Sequence, residues 1–448
     1  MGLTHSPKYR WIVLAMGFLA VFGALGFGRF GYSAILPSMQ EDLRISSAAA
    51  GSLASWNLGG YVIMVGIGGV LGSRFGPRRV VSIGLVITAL GMLLTGLSGG
   101  LSSASAARLL TGLGGGMVLV PSVGLMSAWF DVRRRGMASG VVTSGPALAL
   151  VIVGPIVPRI IESGGADGWR LAWYFFAAMT FVVGLLTIIA QRDRPHPTPR
   201  SSETVAASSD AGRIPARVPA AASATARTTA PPKRKKAGSL DLRSVVRSRY
   251  AWHLGLVYML FGFAYVIYFT FFQKRLISDL GLSSESAGNL FLIVGLASLV
   301  CGVLWGSISD RIGRGRAIAF MCFIQAVAAV LFAWSPGTAG LMISAAIFGL
   351  TSLGVAGIVG AGCGDQFGPV LASASLGFVT ILFGLGQVLG PYVAGTMEDV
   401  FGTLTYSYLL AAGIFFAGAV LAWFLRETGW TSALRVCRFE NAAQEGGV

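Results

Sequence analysis

The amino-acid sequence predicts an all-α polytopic membrane protein, with twelve transmembrane helices in two pseudo-symmetric halves of six. Composition is the first observation behind this prediction. Of the 448 residues, 54% are hydrophobic and only 12% are charged, and the mean hydropathy is +0.72. A soluble protein carries roughly 25% charged residues, so this composition suits lipid better than water. The second observation is a series of long apolar stretches, and the third is an internal repeat.

Apolar stretches recur along the chain with short polar breaks between them. About 20 such residues form a helix that crosses the roughly 30 Å of hydrocarbon in a bilayer. We expect helices because lipid offers no hydrogen-bond partner for unpaired backbone groups. The predicted helices of the first half are 11–36, 48–71, 80–98, 105–127, 136–158 and 171–190. Those of the second half are 251–273, 286–308, 316–334, 339–362, 370–394 and 403–425.

A segment of different composition, residues 191–249, separates the two sets of helices. It is rich in Ala, Ser, Thr, Pro and Arg, and it carries 13 Lys and Arg against 4 Asp and Glu, a net charge of 13 − 4 = +9. Such a segment cannot bury enough apolar surface to fold, so we predict a disordered basic linker. The predicted domains are the six-helix half 1–190, the linker 191–249, the six-helix half 250–427 and a tail 428–448.

The net charge of +16 lies mostly in loops, so it indicates membrane orientation rather than nucleic-acid binding. Arginines crowd the loops near Arg74, Arg134 and Arg314, all on the side of the basic linker. The opposite loops are mixed or acidic, as at Glu41 and Asp279. By the positive-inside rule, the linker and both termini are cytoplasmic. We expect a multi-pass protein of the bacterial cytoplasmic (inner) membrane.

An internal repeat relates the two halves at a constant offset of 237 residues. The aligned pairs include Asp42 and Asp279, Ser46 and Ser283, Arg74 and Arg311, Gly76 and Gly313, and Arg79 and Arg316. Matches at charged residues and loop glycines arise by chance far less often than matches at Ala. The halves are therefore parallel repeats, an arrangement that places a substrate site between them near the middle of the membrane.

Two loops carry related signatures. The first reads Gly69-Val-Leu-Gly-Ser73-Arg74-Phe-Gly76-Pro-Arg78-Arg79, and the second reads Gly306-Ser-Ile-Ser-Asp310-Arg311-Ile-Gly313-Arg314-Gly-Arg316. The fourth helix opens with Arg108-Leu-Leu-Thr111-Gly112-Leu-Gly114. With these motifs the chain resembles the major facilitator superfamily over nearly its whole length, apart from the linker and tails. Ser73 departs from the family pattern, which has Asp there, so we expect a weaker brace between helix ends in the first half.

This resemblance implies a secondary active transporter that moves a small solute by alternating access, with a proton as the coupling ion and without a cofactor. Two segments refine it. Gly28-Arg29-Phe30-Gly31-Tyr32 resembles the bacterial YbfB/YjiJ group, and Trp129-Phe130-Asp-Val-Arg133 resembles a segment of monocarboxylate and oxalate/formate carriers. Both favour a small organic anion, such as a monocarboxylate, as the substrate.

Arg29 is the most informative single position. It lies in the first apolar stretch, where a charge is costly and marks a candidate functional site. Its repeat partner is Val266, so the repeated scaffold does not require a cation there. A guanidinium can bind a carboxylate through two parallel hydrogen bonds. The alternative is that Arg29, about 27 Å along a helix from Trp11, extends to the outer membrane surface.

Other polar residues complete the candidate site. The candidate substrate-binding residues are Arg29, Tyr32, Asn57, Tyr61, Ser122, Tyr265, Tyr268 and Gln387. Each of the uncharged ones also fits ordinary packing, because polar side chains hydrogen-bond between membrane helices. The candidate coupling and gating residues are Arg108, Arg74, Asp310 and Arg311. The resemblance links Arg108 to proton coupling, and the alternative is a capping or interface arginine. We expect the three loop residues to brace helix ends and so to control which conformation the transporter adopts.

Two other functions compete with an organic-anion carrier. A proton-antiport efflux transporter for drugs or metabolites is the alternative, since Gly145-Pro146 and Gly154-Pro155 resemble part of an antiporter motif. Cationic drugs usually require a buried carboxylate, and no acid lies in the middle of a predicted helix, which favours an anionic substrate. An enzyme is not expected, because no metal-binding spacing, nucleophile or phosphate loop is present. We expect a monomer in the bilayer that binds no nucleic acid and no metal.

Overall fold

The computed structural model describes residues 9–193, 242–335 and 337–425, and all regular structure in these ranges is helical. Eleven helical stretches are long and apolar enough to cross a membrane. One of them, Gly136–Ala190, has 55 residues, more than twice the roughly 20 that one crossing requires. It contains most of a short helix, Val132–Thr143, followed by the helices Gly145–Gly164 and Gly168–Ala190, which are joined by a 3-10 turn at Gly165–Asp167. The all-α class is confirmed, while the count of twelve crossings stays a prediction.

The helices fall into two groups in chain order. The first half comprises α1 (Tyr9–Val21), a π-helical segment (Phe22–Phe30), α2 (Gly31–Leu43), α3 (Ser47–Phe75), α4 (Pro77–Gly96), α5 (Leu101–Trp129), α6 (Val132–Thr143), α7 (Gly145–Gly164) and α8 (Gly168–Ala190). The second half comprises α9 (Leu242–Arg247), α10 (Arg249–Lys274), a π-helical turn (Arg275–Asp279), α11 (Ser284–Ile312), α12 (Arg314–Trp334), α13 (Thr338–Ser352), α14 (Val355–Phe401) and α15 (Thr405–Trp423). A bend at Gly368 divides α14 into two arms.

Most helices extend beyond the ends that hydropathy predicts. The first predicted helix stops at residue 36, whereas helical structure continues through Pro37 to Leu43. A proline removes one helical hydrogen bond and tends to end or kink a helix. Here packing holds the helix on both sides of it, since Leu36 and Met39 are fully buried. Hydropathy detects the apolar part of a helix and misses the polar turn that continues past it.

Both ends of the predicted linker belong to the folded halves. Gln191 is buried, and the Asp193 carboxylate accepts a hydrogen bond from Arg78 N at the start of α4, at 2.6 Å. The helix α9 also lies inside the predicted linker, where Val245 is buried. The prediction of disorder was therefore wrong for residues 191–193 and 242–249. It rested on the average composition of the whole segment, which does not reveal single residues that pack against the folded halves. Residues 194–241 and the tail from 426 lie outside the described residues.

The backbone shows the repeat at the same offset as the sequence. Both α3 and α11 have 29 residues, and they begin at Ser47 and Ser284, 237 residues apart. Each ends at a glycine of positive φ, +92° at Gly76 and +97° at Gly313. Only glycine adopts such a backbone without strain, so the loop glycines of the two signatures form the same turn in both halves.

The halves meet along two seams, α3 with α14 and α7 with α11. A Cβ atom on Gly51 would overlap the carbonyl oxygen of Pro391, and one on Gly288 would overlap that of Gly154. The repeat relates these two crossings, because 51 + 237 = 288 and 154 + 237 = 391. We call the end of the bundle with residues 9 and 425 the terminal face and the other end the opposite face. Both crossings lie toward the opposite face, where the halves are closed against each other.

Candidate functional site

The π-helical segment Phe22–Phe30 positions the central arginine. Its wider turns are seen in the hydrogen bond from Gly31 N to Gly26 O, which spans five residues. Short π-helical segments inside α-helices frequently lie at functional sites. Glycines let neighbours pack directly against this backbone: a Cβ on Gly28 would lie 3.2 Å from Met92 Cε and 3.3 Å from Thr111 Cγ2. The segment is therefore held firmly by surrounding helices.

Arg29 extends from this segment into the space between the halves. Its guanidinium carbon lies 5.9 Å from the ring centroid of Tyr61 on α3 and 5.8 Å from that of Tyr265 on α10. Both distances permit cation–π attraction. Within the described part of the chain, Arg29 Nε and Nη2 are shielded from solvent and have no hydrogen-bond partner. A buried donor without a partner is costly, so these two nitrogens can donate to a further anionic or polar group.

Other groups surround the guanidinium. A small cavity beside Arg29 is lined by Asn57 and Tyr61, together with Ala24, Leu25, Leu58, Thr111, Gly112 and Gly115. Tyr258, two helical turns before Tyr265 on α10, lies within electrostatic range of Arg29, Tyr61 and Tyr265. We refer to Arg29, Asn57, Tyr61, Tyr258 and Tyr265 as the Arg29 cluster. It joins three residues of the first half to two of the second.

The position of Arg29 answers one of the open alternatives. An arginine that reaches the membrane surface keeps its guanidinium in water. Arg29 instead lies between aromatic rings from both halves, with two of its nitrogens buried. The structure therefore does not support the surface alternative.

Arg108 contacts the backbone next to Arg29 and the side chain of Asn57. Only 1% of its surface is exposed, and Nη1 donates a hydrogen bond of 2.7 Å to the carbonyl oxygen of Gly28. Its guanidinium lies 4.7 Å from the ring centroid of Tyr32 and 5.2 Å from that of Trp173. Asn57 Nδ2 in turn donates to the Arg108 carbonyl oxygen at 3.2 Å. Arg108 thus holds the π-helical backbone that carries Arg29, and it does not extend to the membrane surface as its sequence position allowed.

Replacement of Arg108 by leucine is expected to destabilise the protein. The Gly28 oxygen loses a charged donor, and a hydrogen bond to a charged group contributes about 1.5–3 kcal/mol. We expect a lower midpoint of thermal unfolding for the purified protein in detergent, and reduced transport because Arg29 is displaced. The matched control is Arg79→Leu, at an exposed arginine of the terminal face. Equal midpoints for the two variants would contradict a structural role for Arg108.

Several predicted site residues lie outside the Arg29 cluster. Tyr32 donates from its hydroxyl to Ala50 O at 2.6 Å, and Ser122 is fully buried. The Tyr268 hydroxyl pairs with Ser344 Oγ at 2.7 Å, and its ring stacks on Phe348 in the core of the second half. Gln387 is also fully buried, and neither of its amide atoms has a partner among the described residues. The structure thus joins Arg29, Asn57, Tyr61 and Tyr265 and adds Tyr258, whose seven-residue spacing from Tyr265 was the available signal.

The loop signatures make contacts that differ from the predicted ones. In the second half, Arg314 forms ion pairs with Asp310, at 2.5 Å, and with Asp365, at 3.1 Å. Arg74 and Arg311 are exposed, and no ion pair of either is present in the described ranges. Their gating role stays a prediction. In the first half, where Ser73 stands in place of an acid, Asp193, three residues past the end of α8, accepts a hydrogen bond from Arg78 N. The sequence did not indicate this contact.

Two repeat-related helical halves with a polar cluster at their interface define the class: a membrane transporter of small solutes. The chain belongs to the major facilitator superfamily, whose family model matches residues 18–375 and 275–435. This confirms the resemblance seen in the loop signatures.

Known relatives cover most of the chain. The hexuronate transporter of Bacillus subtilis is 24% identical, over 91% of this chain and 93% of its own length. The phosphoglycerate transporter protein of Salmonella typhimurium is 25% identical, over 89% of this chain and 84% of its own. Monocarboxylate transporter 13 of Bos taurus is 23% identical, over 92% of this chain and 88% of its own. These relatives are transporters and not enzymes.

Solved structures share the fold. A bacterial homolog of the human lysosomal transporter Spinster, in an inward-facing unoccupied conformation, superposes with a TM-score of 0.64 at 17% identity, covering 93% of this chain and 95% of its own. The nucleoside transporter NupG superposes with a TM-score of 0.66 at 15% identity, covering 94% of this chain and 100% of its own. At these identities the likeness concerns the fold alone.

Proposed function

We propose that this transporter carries a small organic anion, such as a monocarboxylate, by alternating access, and that Arg29 binds the carboxylate. The observation behind this proposal is the Arg29 guanidinium, which lies near rings of both halves. Its Nε and Nη2 have no hydrogen-bond partner among the residues that the structure describes. A planar guanidinium matches the two oxygens of a carboxylate. A substrate bound there contacts both halves at once, which alternating access requires of a central site.

The surroundings of Arg29 favour a substrate with a single anionic group. Arg108, which contacts the backbone next to Arg29, has its Nη1 already bonded to Gly28 O. The hydroxyls of Tyr61 and Tyr265 and the amide of Asn57 offer neutral hydrogen bonds for the remainder of the molecule. The names of the relatives support an acid as well, because hexuronate, phosphoglycerate and monocarboxylates are all organic anions.

Orientation and coupling complete the proposal. The arginine-rich loops lie on the terminal face, so by the positive-inside rule this face is cytoplasmic, in a bacterial inner membrane. The opposite face, where the halves are closed, then faces outward. We further propose that protons couple to the anion, since a proton moving with a monocarboxylate makes the transported pair neutral.

The test is uptake into proteoliposomes of purified protein, with radiolabelled lactate as the first probe and labelled gluconate, glucuronate and tartrate as further probes. The expected result is saturable uptake of at least one carboxylate, stimulated by an inward proton gradient. Unlabelled lactamide, the neutral amide of lactate, is the matched competitor and is expected to leave uptake unchanged. Absence of uptake for every acid, or equal competition by the amide, would contradict the proposal.

A further inference from the structure

The first turn of α3 is capped by a residue of the other half. Both oxygens of the Asp399 carboxylate, on α14, accept backbone hydrogen bonds, Oδ1 from Ser47 N and Oδ2 from Ala48 N, each at 2.8 Å. The hydroxyl of Ser46 accepts a hydrogen bond from the next backbone donor, Ala49 N, at 3.2 Å. A carboxylate at a helix N-terminus satisfies free N–H groups and interacts favourably with the helix dipole. Two of the three donors at the start of α3 therefore depend on the α3–α14 seam being closed.

A buried ion pair extends this contact. Lys274 Nζ, at the end of α10, lies 2.7 Å from Glu398 Oε1 and donates to Ser47 Oγ at 2.6 Å. Lys274 and Glu398 are 5% and 8% exposed. Both belong to the second half and Ser47 to the first, so the ammonium also bridges the seam. Glu398 and Asp399 lie in the last turns of α14, although the sequence suggested loop positions. We refer to Lys274, Glu398 and Asp399, with the Ser47 and Ala48 groups that they bind, as the latch.

The repeat provides an internal comparison, because each latch residue has a partner 237 positions earlier or later. The second half has Glu285 where the first has Ala48, and the first half has Pro37, Ile161 and Glu162 where the second has Lys274, Glu398 and Asp399. Pro37 and Ile161 cannot form an ion pair. Glu162 and Glu285 are both exposed acids, and two carboxylates brought together repel each other.

The two seams consequently differ at the opposite face. Beside the α7–α11 seam lies a cavity of about 570 Å³. It is lined by Pro37, Ile161 and Ser284, the repeat partners of Lys274, Glu398 and Ser47, and also by Lys274 of α10. At the α3–α14 seam, the latch fills the equivalent position. Polar contacts between the halves at this end are thus concentrated on one seam, while the other is held by the backbone crossing of Gly154 and Gly288.

We propose that the latch is the gate of the opposite face, and that Asp399 is the positioning residue that keeps this face closed. The proposal rests on the alternating access of the proposed function. Separation of the halves removes both Asp399 hydrogen bonds and the contact of Lys274 with Ser47. Hydrogen bonds to charged groups contribute more than neutral ones. A variant that cannot form them therefore spends more of its time with the opposite face open.

The experiment measures the distance between the halves at the opposite face. Spin labels are placed at Ser102→Cys and Ala339→Cys, two exposed, repeat-related positions at the starts of α5 and α13, after replacement of the four native cysteines. The label-to-label distances are measured by pulsed electron paramagnetic resonance. In Asp399→Ala, we expect the ratio of long to short distances to rise about tenfold over the parent, because at least one charge-assisted hydrogen bond of the closed state is lost. Glu162→Ala is the matched control, expected to resemble the parent. Identical distributions in Asp399→Ala and the parent would overturn the proposal.

A second variant separates gating from misfolding. Ala48→Glu places the acid of the second half into the first turn of α3, at the residue whose backbone N–H donates to Asp399. It keeps Lys274, Glu398, Asp399, Ser47 and the backbone N–H of residue 48. Repulsion is expected to produce the same long-distance population as Asp399→Ala, and a parental distribution in a folded Ala48→Glu protein would count against the latch. The distance measurement uses no substrate. A failed uptake assay with a positive distance shift would therefore overturn the proposed substrate and leave the latch intact.

Discussion

Replacement of Arg29 by alanine is expected to lower carboxylate uptake by about 100-fold or more. The guanidinium is the only group of the Arg29 cluster with a full positive charge. Within the described ranges, its Nε and Nη2 have no hydrogen-bond partner. Loss of one member of a buried, hydrogen-bonded charge pair typically costs about 2–5 kcal/mol, and 1.4 kcal/mol corresponds to a tenfold change in affinity. The measurement is initial-rate uptake into proteoliposomes over a range of substrate concentrations.

Arg29→Lys and Arg79→Ala make this prediction specific. Lysine keeps the charge but not the planar fork that fits two carboxylate oxygens, so we expect an intermediate loss that appears mainly in KM. Arg79 is exposed on the terminal face, and its alanine variant is expected to transport normally. An Arg29→Ala protein that folds and takes up the carboxylate within about threefold of the parent would show that Arg29 does not bind the anion.

Replacement of Gly288 by leucine is expected to prevent closure of the opposite face and to lower uptake by about tenfold to one-hundredfold. A side chain there would overlap the Gly154 carbonyl oxygen across the α7–α11 seam. Overpacking of a tight contact costs about 1–3 kcal/mol even where neighbours adjust, and here the obstacle is backbone. The readouts are uptake and the distance between labels at Ser102→Cys and Ala339→Cys, which is expected to lengthen.

The matched control for this variant is Gly302→Leu on the same helix. Among the described residues, nothing lies within 4 Å of a Cβ atom built on Gly302. Both substitutions remove a glycine from α11 and add the same apolar side chain, and they differ only in whether the new atoms meet the other half. If Gly302→Leu impaired uptake as strongly as Gly288→Leu, the effect would belong to the helix and not to the seam.

The candidate site shows where reasoning from sequence succeeds and where it stops. Arg29 was identifiable because a cation in an apolar stretch is conspicuous by itself. Tyr265 and Tyr268 were equally plausible, since both are tyrosines on α10, yet one faces Arg29 and the other packs on Phe348. The choice depends on the rotation of α10 against its neighbours. The π-helical segment adds to the difficulty, because its wider turns shift the faces of the first helix in a way that a regular 3.6-residue period does not describe.

The latch illustrates the same limit for charged residues. Glu398 and Asp399 follow an apolar stretch, so hydropathy alone assigns them to a loop and gives them no particular role. Their partners, Lys274 and Ser47, are distant in the sequence. No local pattern connects an acid at the end of one helix to the free N–H groups at the start of another. Only the repeat offered a hint, since the two halves differ at these positions although their helices align.

The sequence by itself determined the helical class, the position of nearly every helix and the two-fold repeat. These follow from local requirements: each crossing segment needs about 20 apolar residues and must satisfy its own backbone hydrogen bonds. The tertiary structure alone decided that Arg108 supports the π-helical segment, that Tyr258 joins Tyr265 around Arg29, and that Asp399 caps α3. These contacts depend on the packing of helices that are remote in sequence, where a rotation of one residue directs a side chain to a different neighbour.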